Sequence, residues 1–265
     1  MKVNRHGLII SILLFILFLP ILGTALYSMT TSWSGTLLPN GITGKWYVEA
    51  LRNPILINSI LRTIYVCAIS LIIISFVMIP TIFIINYYFP KLEKIMEVLV
   101  LVCFSVPGAV SVVGLMKMYS SGILKITGTL YILVGVYFVI AFPFMYRGIK
   151  NNMSGLPMRE IIESANILGV STWKAFIYLI IPNIRKGIII STLLVFSILF
   201  GEFLLVNMLV GGRYQTIQMY INSIRTGVSG HYSSAVVTIY FLMIFLITFL
   251  GFGLQKEKGD NQWIF

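Results

Sequence analysis

Two acids and one serine–histidine neighbourhood are the places in this sequence where chemistry could reside. Glu202 stands in a long apolar run, ISTLLVFSILFGEFLLVNMLV. An ionised carboxylate at such depth costs about 2.5 kcal/mol or more unless it meets water or a polar partner. It either lines a path through an apolar bundle or is hydrogen-bonded to a neighbouring helix; Ser191, Ile198 and Gly201 share its face or adjoin it. Gly227-Val228-Ser229-Gly230 followed by His231 has the outline of a serine nucleophile beside a base. A base must reach its nucleophile across roughly 2.6–3.2 Å from a held position, yet His231 merely adjoins the motif and the other histidine, His6, precedes the first apolar run. The segment reads as a turn. Cys67 and Cys103 lie singly among apolar residues, where a packed thiol is the default. No metal-ligand spacing and no glycine loop with a phosphate-binding lysine occurs, so energy for any uphill process must come from a partner chain. The second acid, Glu163, stands in a polar loop.

The elements that must position these residues are membrane spans. Hydrophobic residues make up 58% of the chain, charged residues 10%, and the mean hydropathy is +0.96, against roughly 25% charged residues in an ordinary soluble domain. With about 20 apolar residues needed per crossing, the 265 residues read as one transmembrane domain over 1–265. Its expected spans are 8–29, 61–87, 96–118, 128–146, 187–210 and 235–254. The first run exceeds the 7–15 apolar residues of a secretory signal and reads as an uncleaved helix. Pro80, Pro107 and Pro143 fall inside spans and are expected to kink or interrupt them. Residues 30–57 read as an interfacial loop with Trp33, Trp46 and Tyr47 as anchors and a short amphipathic helix from Lys45 to Arg52. Lys45, Arg52, Arg213 and Arg225 are cations on that side that could meet acidic groups of a partner. With the amino terminus inside, twelve of the 19 Lys and Arg residues fall inside and seven outside or at the outer edge. That asymmetry places both termini and the Glu163 loop in the cytoplasm. The +11 charge is thus topological, and no nucleic-acid partner is implied.

The loop over 154–182 is the long segment that mixes polar residues with helix-stop signals. Ser154 is expected to cap a helix over 156–168, with Pro157 in its first turn. Gly169 follows as a left-handed stop. A second helix carries Trp173, Phe176, Ile177 and Ile180 on one face until Pro182 ends it ahead of the fifth span. Trp173, Phe176 and Ile177 offer an apolar face suited to a partner's groove.

Glu163-Ser164-Ala165, then three residues, Gly169, nine residues, and Leu179-Ile180-Ile181-Pro182 resemble the "EAA" loop of the permease subunits of binding-protein-dependent ABC importers. Ser164 stands for the usual second-position alanine, and the aliphatic pair before the proline is conservative rather than identical. The resemblance implies an all-α integral membrane fold: a six-helix type I ABC importer permease with a cytoplasmic two-helix coupling loop. It implies docking of Glu163, Ala165, Gly169, Trp173, Phe176 and Pro182 against an ATPase. It also implies a second permease subunit, identical or homologous, two ATPase subunits that bind ATP and Mg, and an extracytoplasmic solute-binding protein, all at the bacterial inner membrane. The chain itself would bind no cofactor and catalyse no reaction. Similar permeases carry a G-E-F or D-E-F stretch where Glu202 stands, so its role there is structural or gating.

Asn58-Ser59, Tyr214-Gln215-Thr216 and the Gly211–Tyr232 stretch are similar to the spermidine/putrescine branch. That branch implies a polyamine or a related small charged solute such as 2-aminoethylphosphonate, with ferric-iron, sulfate and thiamine systems as alternatives. A rhomboid-like intramembrane protease is the competing enzyme reading, resting on Ser229 and His231.

Overall fold

The computed structural model describes residues 5–34, 36, 38–121 and 124–257. The described residues form helices and one two-stranded hairpin. Lys2 and Lys258, two of the twelve basic residues expected inside, lie outside the described residues.

The described chain falls into two compact units. The first contains α1 (Arg5–Ser28), an antiparallel hairpin of β1 (Thr30–Ser32) and β2 (Asn40–Ile42), α2 (Lys45–Arg52), the beginning of α3 (Pro54–Tyr88) and most of α12 (Gly230–Glu257). α2 lies where the amphipathic pattern places it. The hairpin was not anticipated, because three-residue strands carry too little alternation to read. Asn53 closes α2 and opens α3: its Oδ1 accepts from Ile55 N–H at 2.9 Å and Pro54 occupies the first helical position. α3 therefore starts at Pro54, seven residues before the expected 61. Asn53 Nδ2 also donates to the hydroxyls of Tyr220 (3.0 Å) and Tyr232 (3.1 Å), which are themselves 2.8 Å apart. Burial, then the hydrogen bond with Tyr232, pushes the Tyr220 phenol above its ordinary range.

The second unit holds the rest of α3, α4 (Glu93–Ser105), α5 (Gly108–Tyr119), α6 (Leu130–Ser154), α7 (Met158–Ile167), α8 (Thr172–Ala175), α9 (Ile181–Phe200) and α10 (Leu204–Leu209). α11 (Ile217–Ser223) begins in this unit and ends in the first. α6 packs on α9 through small residues: a Cβ added to Gly148 would run into Ser191, and one added to Gly187 would overlap Asn152. Backbones that approach this closely gain dispersion contact where lipid supplies no hydrophobic drive.

Among the described residues five helices are long and apolar enough to cross a bilayer, and α4 with α5 makes a sixth if the pair counts as one span. Of the three mid-span prolines, only Pro107 interrupts its helix, where α4 and α5 meet at 95°. Pro80 and Pro143 sit inside continuous helices. Near Pro80, Thr81 Oγ1 donates to the Val77 carbonyl at 2.7 Å, adding a side-chain bond where the proline removes a backbone one. The expected bounds also shift elsewhere: α4 starts at Glu93, ahead of 96, because Lys150 holds Glu93 and Glu97 at 2.5 and 2.7 Å, so the charged turn belongs to the helix.

Candidate functional site

The 154–182 loop is two helices joined by a glycine turn, as its pattern predicts, with different boundaries. Ser154 does not cap the first helix. It is the last residue of α6, and its hydroxyl donates to Lys150 O at 2.9 Å, the local bond open to a serine still inside a helix. α7 starts at Met158, after Pro157. At its other end Gly169 adopts φ +81°, Val170 N–H reaches Ala165 O and Gly169 N–H reaches Asn166 O, each at 3.0 Å. This is the paired-bond helix stop that needs a left-handed residue, and glycine carries no Cβ to oppose it.

The side chains divide into two faces. Ala165 (6% exposed) and Phe176 (3%) point inward. Phe176 stacks on Phe83 of α3, with ring centroids 4.1 Å apart and planes 20° apart. Sequence reasoning placed Phe176 on the face offered to a partner; instead that ring fastens the loop to its own bundle, since a face with aromatic residues at both i and i+3 cannot say from spacing alone which ring turns in. Trp173 straddles the boundary, its ring 5.9 Å from Phe83 and half exposed. Glu163 is exposed and paired at 3.7 Å with exposed Arg159 one turn back, a weak surface contact. The tip is aliphatic and open: Ile167 and Leu168 are 86% and 83% exposed, with Val170 beside them. These three were missed. The signal was present as two large aliphatic residues directly before a helix-stopping glycine, a place where burial within the chain is hard to arrange.

Pro182 does not end the second helix. After α8 the backbone widens into a π turn over Phe176–Ile180, with Ile181 N–H donating to Phe176 O five residues back, and α9 follows without a break. The wider turn makes room for the proline ring, and Asn183 Nδ2 takes the Leu179 carbonyl at 2.7 Å. The segment Thr172–Phe200 is thus one continuous apolar rod of 29 residues.

Glu202 lies in a break of the chain rather than inside a helix: α9 stops at Phe200 and α10 starts at Leu204. The expected span of 187–210 is therefore two pieces. Half-buried, Glu202 accepts from Leu205 N–H at 2.9 Å through Oε1, which satisfies a first-turn amide of α10. Ser229 and His231 do not form a nucleophile and base. His231 is stacked on Tyr27 (4.1 Å) and near-parallel to Trp46 (5.8 Å), with Nδ1 on Tyr27 O and Thr30 Oγ1; toward Ser229 it offers only its backbone N–H, at 3.3 Å.

Residues 78–256 match the family described as the binding-protein-dependent transport system inner membrane component. The chain belongs to this family. It is an ABC importer permease, an all-α multi-pass protein of the inner membrane that couples to separate ATPase subunits rather than hydrolysing ATP itself. A protein of Salmonella choleraesuis (strain SC-B67) named as a 2-aminoethylphosphonate transport system permease, PhnV, is 24% identical over 262 residues, covering 97% of this permease and 94% of that protein. The molybdenum transport system permease ModB of Escherichia coli K12 is 34% identical over 65 residues, 24% of this chain and 28% of ModB. Among solved structures, a chain of a bacterial ABC transporter involved in import of the acidic polysaccharide alginate superposes with a TM-score of 0.70 at 11% identity, over 93% of this chain and 95% of that one. That likeness speaks to the fold.

Proposed function

We propose that the α7–α8 loop is the ATPase docking element of this permease, with Ile167, Leu168 and Trp173 as its contact residues. Gly169 supplies the bend, Glu163 a rim charge, and buried Ala165, Phe176 and the Pro182 region make the mechanical link to the span. The observation that carries this reading is the exposed aliphatic tip on a rigid glycine turn, joined through an uninterrupted helix to Phe200. Apolar side chains so open to solvent suit a groove in a partner. The chain would pair with a second permease, identical or homologous, with two ATPases that hold ATP and Mg and a solute-binding protein on the other side. Both termini and this loop would be cytoplasmic, as the distribution of Lys and Arg supports.

The solute is a small charged one. A PhnV relative that aligns over nearly the whole chain makes 2-aminoethylphosphonate the first to test, and polyamines the second. Glu202 acts first as the cap that keeps the α9–α10 break, with a place on the solute path as its further role. Glu202→Gln keeps an acceptor for Leu205 and removes the charge, so unchanged uptake across a wide solute range would end the path role and leave the cap.

The test of docking is substrate-stimulated ATPase activity of the assembled, reconstituted transporter carrying Glu163→Lys or Gly169→Asp. Lost stimulation with normal membrane insertion supports docking, and normal stimulation with normal uptake would reduce the loop to a connector.

A further inference from the structure

At about 3.6 residues per turn, the residues of α2 sort into three lengthwise strips. Trp46, Tyr47 and Ala50 form the inner one. Ala50 is fully buried, Trp46 Nε1 donates to Thr30 O at 3.0 Å, and the Tyr47 and Ser28 hydroxyls are 2.5 Å apart. The remaining surface of the helix is free, and it is divided. Val48 and Leu51 make an apolar edge that Ile55, in the first turn of α3, continues; all three are exposed. Lys45, Glu49 and Arg52 make an exposed charged edge beside it. The two edges meet in a shallow concavity at the α2–α3 corner, which Val48 and Ile55 line together with the three charged residues.

Two spans set the level at which α2 lies. The apolar segments Gly7–Ser28 and Gly230–Gly251 have 22 residues each, about 33 Å at 1.5 Å per residue, which matches the roughly 30 Å of a bilayer's hydrocarbon. α2 is tied to the end of the first through Ser28 and Tyr47. It also stands against the beginning of the second, where the His231 ring lies near-parallel to Trp46 at 5.8 Å. At that level hydrocarbon gives way to water, and Tyr27, Trp46 and Tyr47 gather there as aromatic residues do at a membrane interface. The Lys45 ammonium lies 4.1 Å from the Trp46 ring centroid, so a cation and an indole share the same level.

The division of the free surface decides between lipid and protein as its occupant. A protein-docking patch has an apolar centre enclosed by a polar rim. On α2 the apolar edge runs along one side and the charges along the other, the pattern of a helix lying in the plane of a membrane surface. We infer that α2 is seated in the phospholipid headgroup layer, with Val48, Leu51 and Ile55 against acyl chains and Lys45, Glu49 and Arg52 among the headgroups. Two cations and one carboxylate leave little net charge on that edge, so the apolar edge carries the contact and anionic lipid is not required. Seated in this way, the helix sets the depth of the corner at which Asn53 starts α3.

The test uses the assembled transporter in vesicles of phosphatidylethanolamine and phosphatidylglycerol. An environment-sensitive fluorescent amino acid replaces Leu51 in one sample and Glu49 in another. The quencher is either bromine carried on the acyl chains or iodide present on both sides of the membrane, so the result does not depend on which face α2 occupies. Emission from position 51 should be lost to brominated lipid and spared by iodide, and emission from position 49 should show the reverse. Loss to iodide at position 51 would put the apolar edge in water. Protection there from both quenchers would mean that protein covers it, a second permease copy or a solute-binding protein. Either result overturns the inference, and so does the same response at both positions. In vesicles of phosphatidylethanolamine and phosphatidylcholine the loss at position 51 should be unchanged; its disappearance would overturn the assignment of the contact to the apolar edge.

Discussion

The polar regions of the two units are built by opposite means. In the first unit, around Asn53 and His231, a set of polar side chains is bonded within the chain: Asn53 serves Ile55, Tyr220 and Tyr232, Trp46 donates to Thr30 O, Ser28 bonds Tyr47, and His231 is packed between aromatic rings. In the second unit the α7–α8 loop is held by backbone bonds at Gly169, by one long side-chain bond from Thr172 to Asn166 and by the rings of Phe176 and Trp173 on Phe83, and leaves Ile167 and Leu168 bare. A segment that satisfies its own groups is finished by folding. A segment that spends its bonding on geometry and leaves apolar side chains in water is shaped for something else.

The comparison breaks most visibly at Gly169. Gly169→Asp places a Cβ on a left-handed backbone, at roughly 1–2 kcal/mol for the conformation alone, and puts a charge at the docking tip; stimulated ATPase activity of the reconstituted transporter should fall at least about tenfold. Phe176→Ala should lower thermal or denaturant stability by about 3 kcal/mol, the loss expected for a buried ring, measured on the purified permease. If instead it changed stability by less than about 1 kcal/mol, the stack would not be the fastening. Asn53→Ala should lose about 1–2 kcal/mol, from the helix cap and the amide bonds to two phenols. Leu168→Ser sharpens the contrast from the other side: stability should stay within about 0.5 kcal/mol, as for other surface changes, while affinity for the ATPase in a pull-down titration drops.

The smallest effect concerns pH. Tyr220 is held above the ordinary range of a phenol by burial and its bond with Tyr232, so the folded state keeps a proton that the unfolded chain gives up. The stabilisation is complete below about pH 10 and is lost only as pH rises through the folded value. A denaturation midpoint that drops between pH 7 and 9 in a manner removed by Tyr220→Phe would contradict that window, and one that rises above pH 10 in the same Tyr220-dependent manner would contradict the sign.

Periodicity and composition carried far where the physics is local. Two helices around Gly169, a short amphipathic helix over Lys45–Arg52 and the number of apolar runs follow from spacing, from a glycine that alone suits φ +81°, and from the length a bilayer demands. The same residues did not reveal their orientation. Phe176 and Trp173 look alike in a helical pattern, yet one ring faces Phe83 and the other divides between bundle and solvent, because that depends on where α3 passes. Prolines told less than they promised: Pro80 and Pro143 are absorbed by their helices, Pro182 by a π turn, and Pro107 alone coincides with a 95° break.

Glu202 shows the division most sharply. From the sequence it is a carboxylate within an apolar run, costly unless partnered. The partner turned out to be the backbone of its own next helix, at Leu205, an amide freed only because the chain breaks there. The sequence by itself determined that this chain lives in a membrane and carries one loop with a glycine-set bend, since burial length and backbone sterics are properties of nearby residues. Which ring turns inward and where a span is cut were decided by the tertiary structure, because each depends on residues far apart in sequence being brought within a few ångströms.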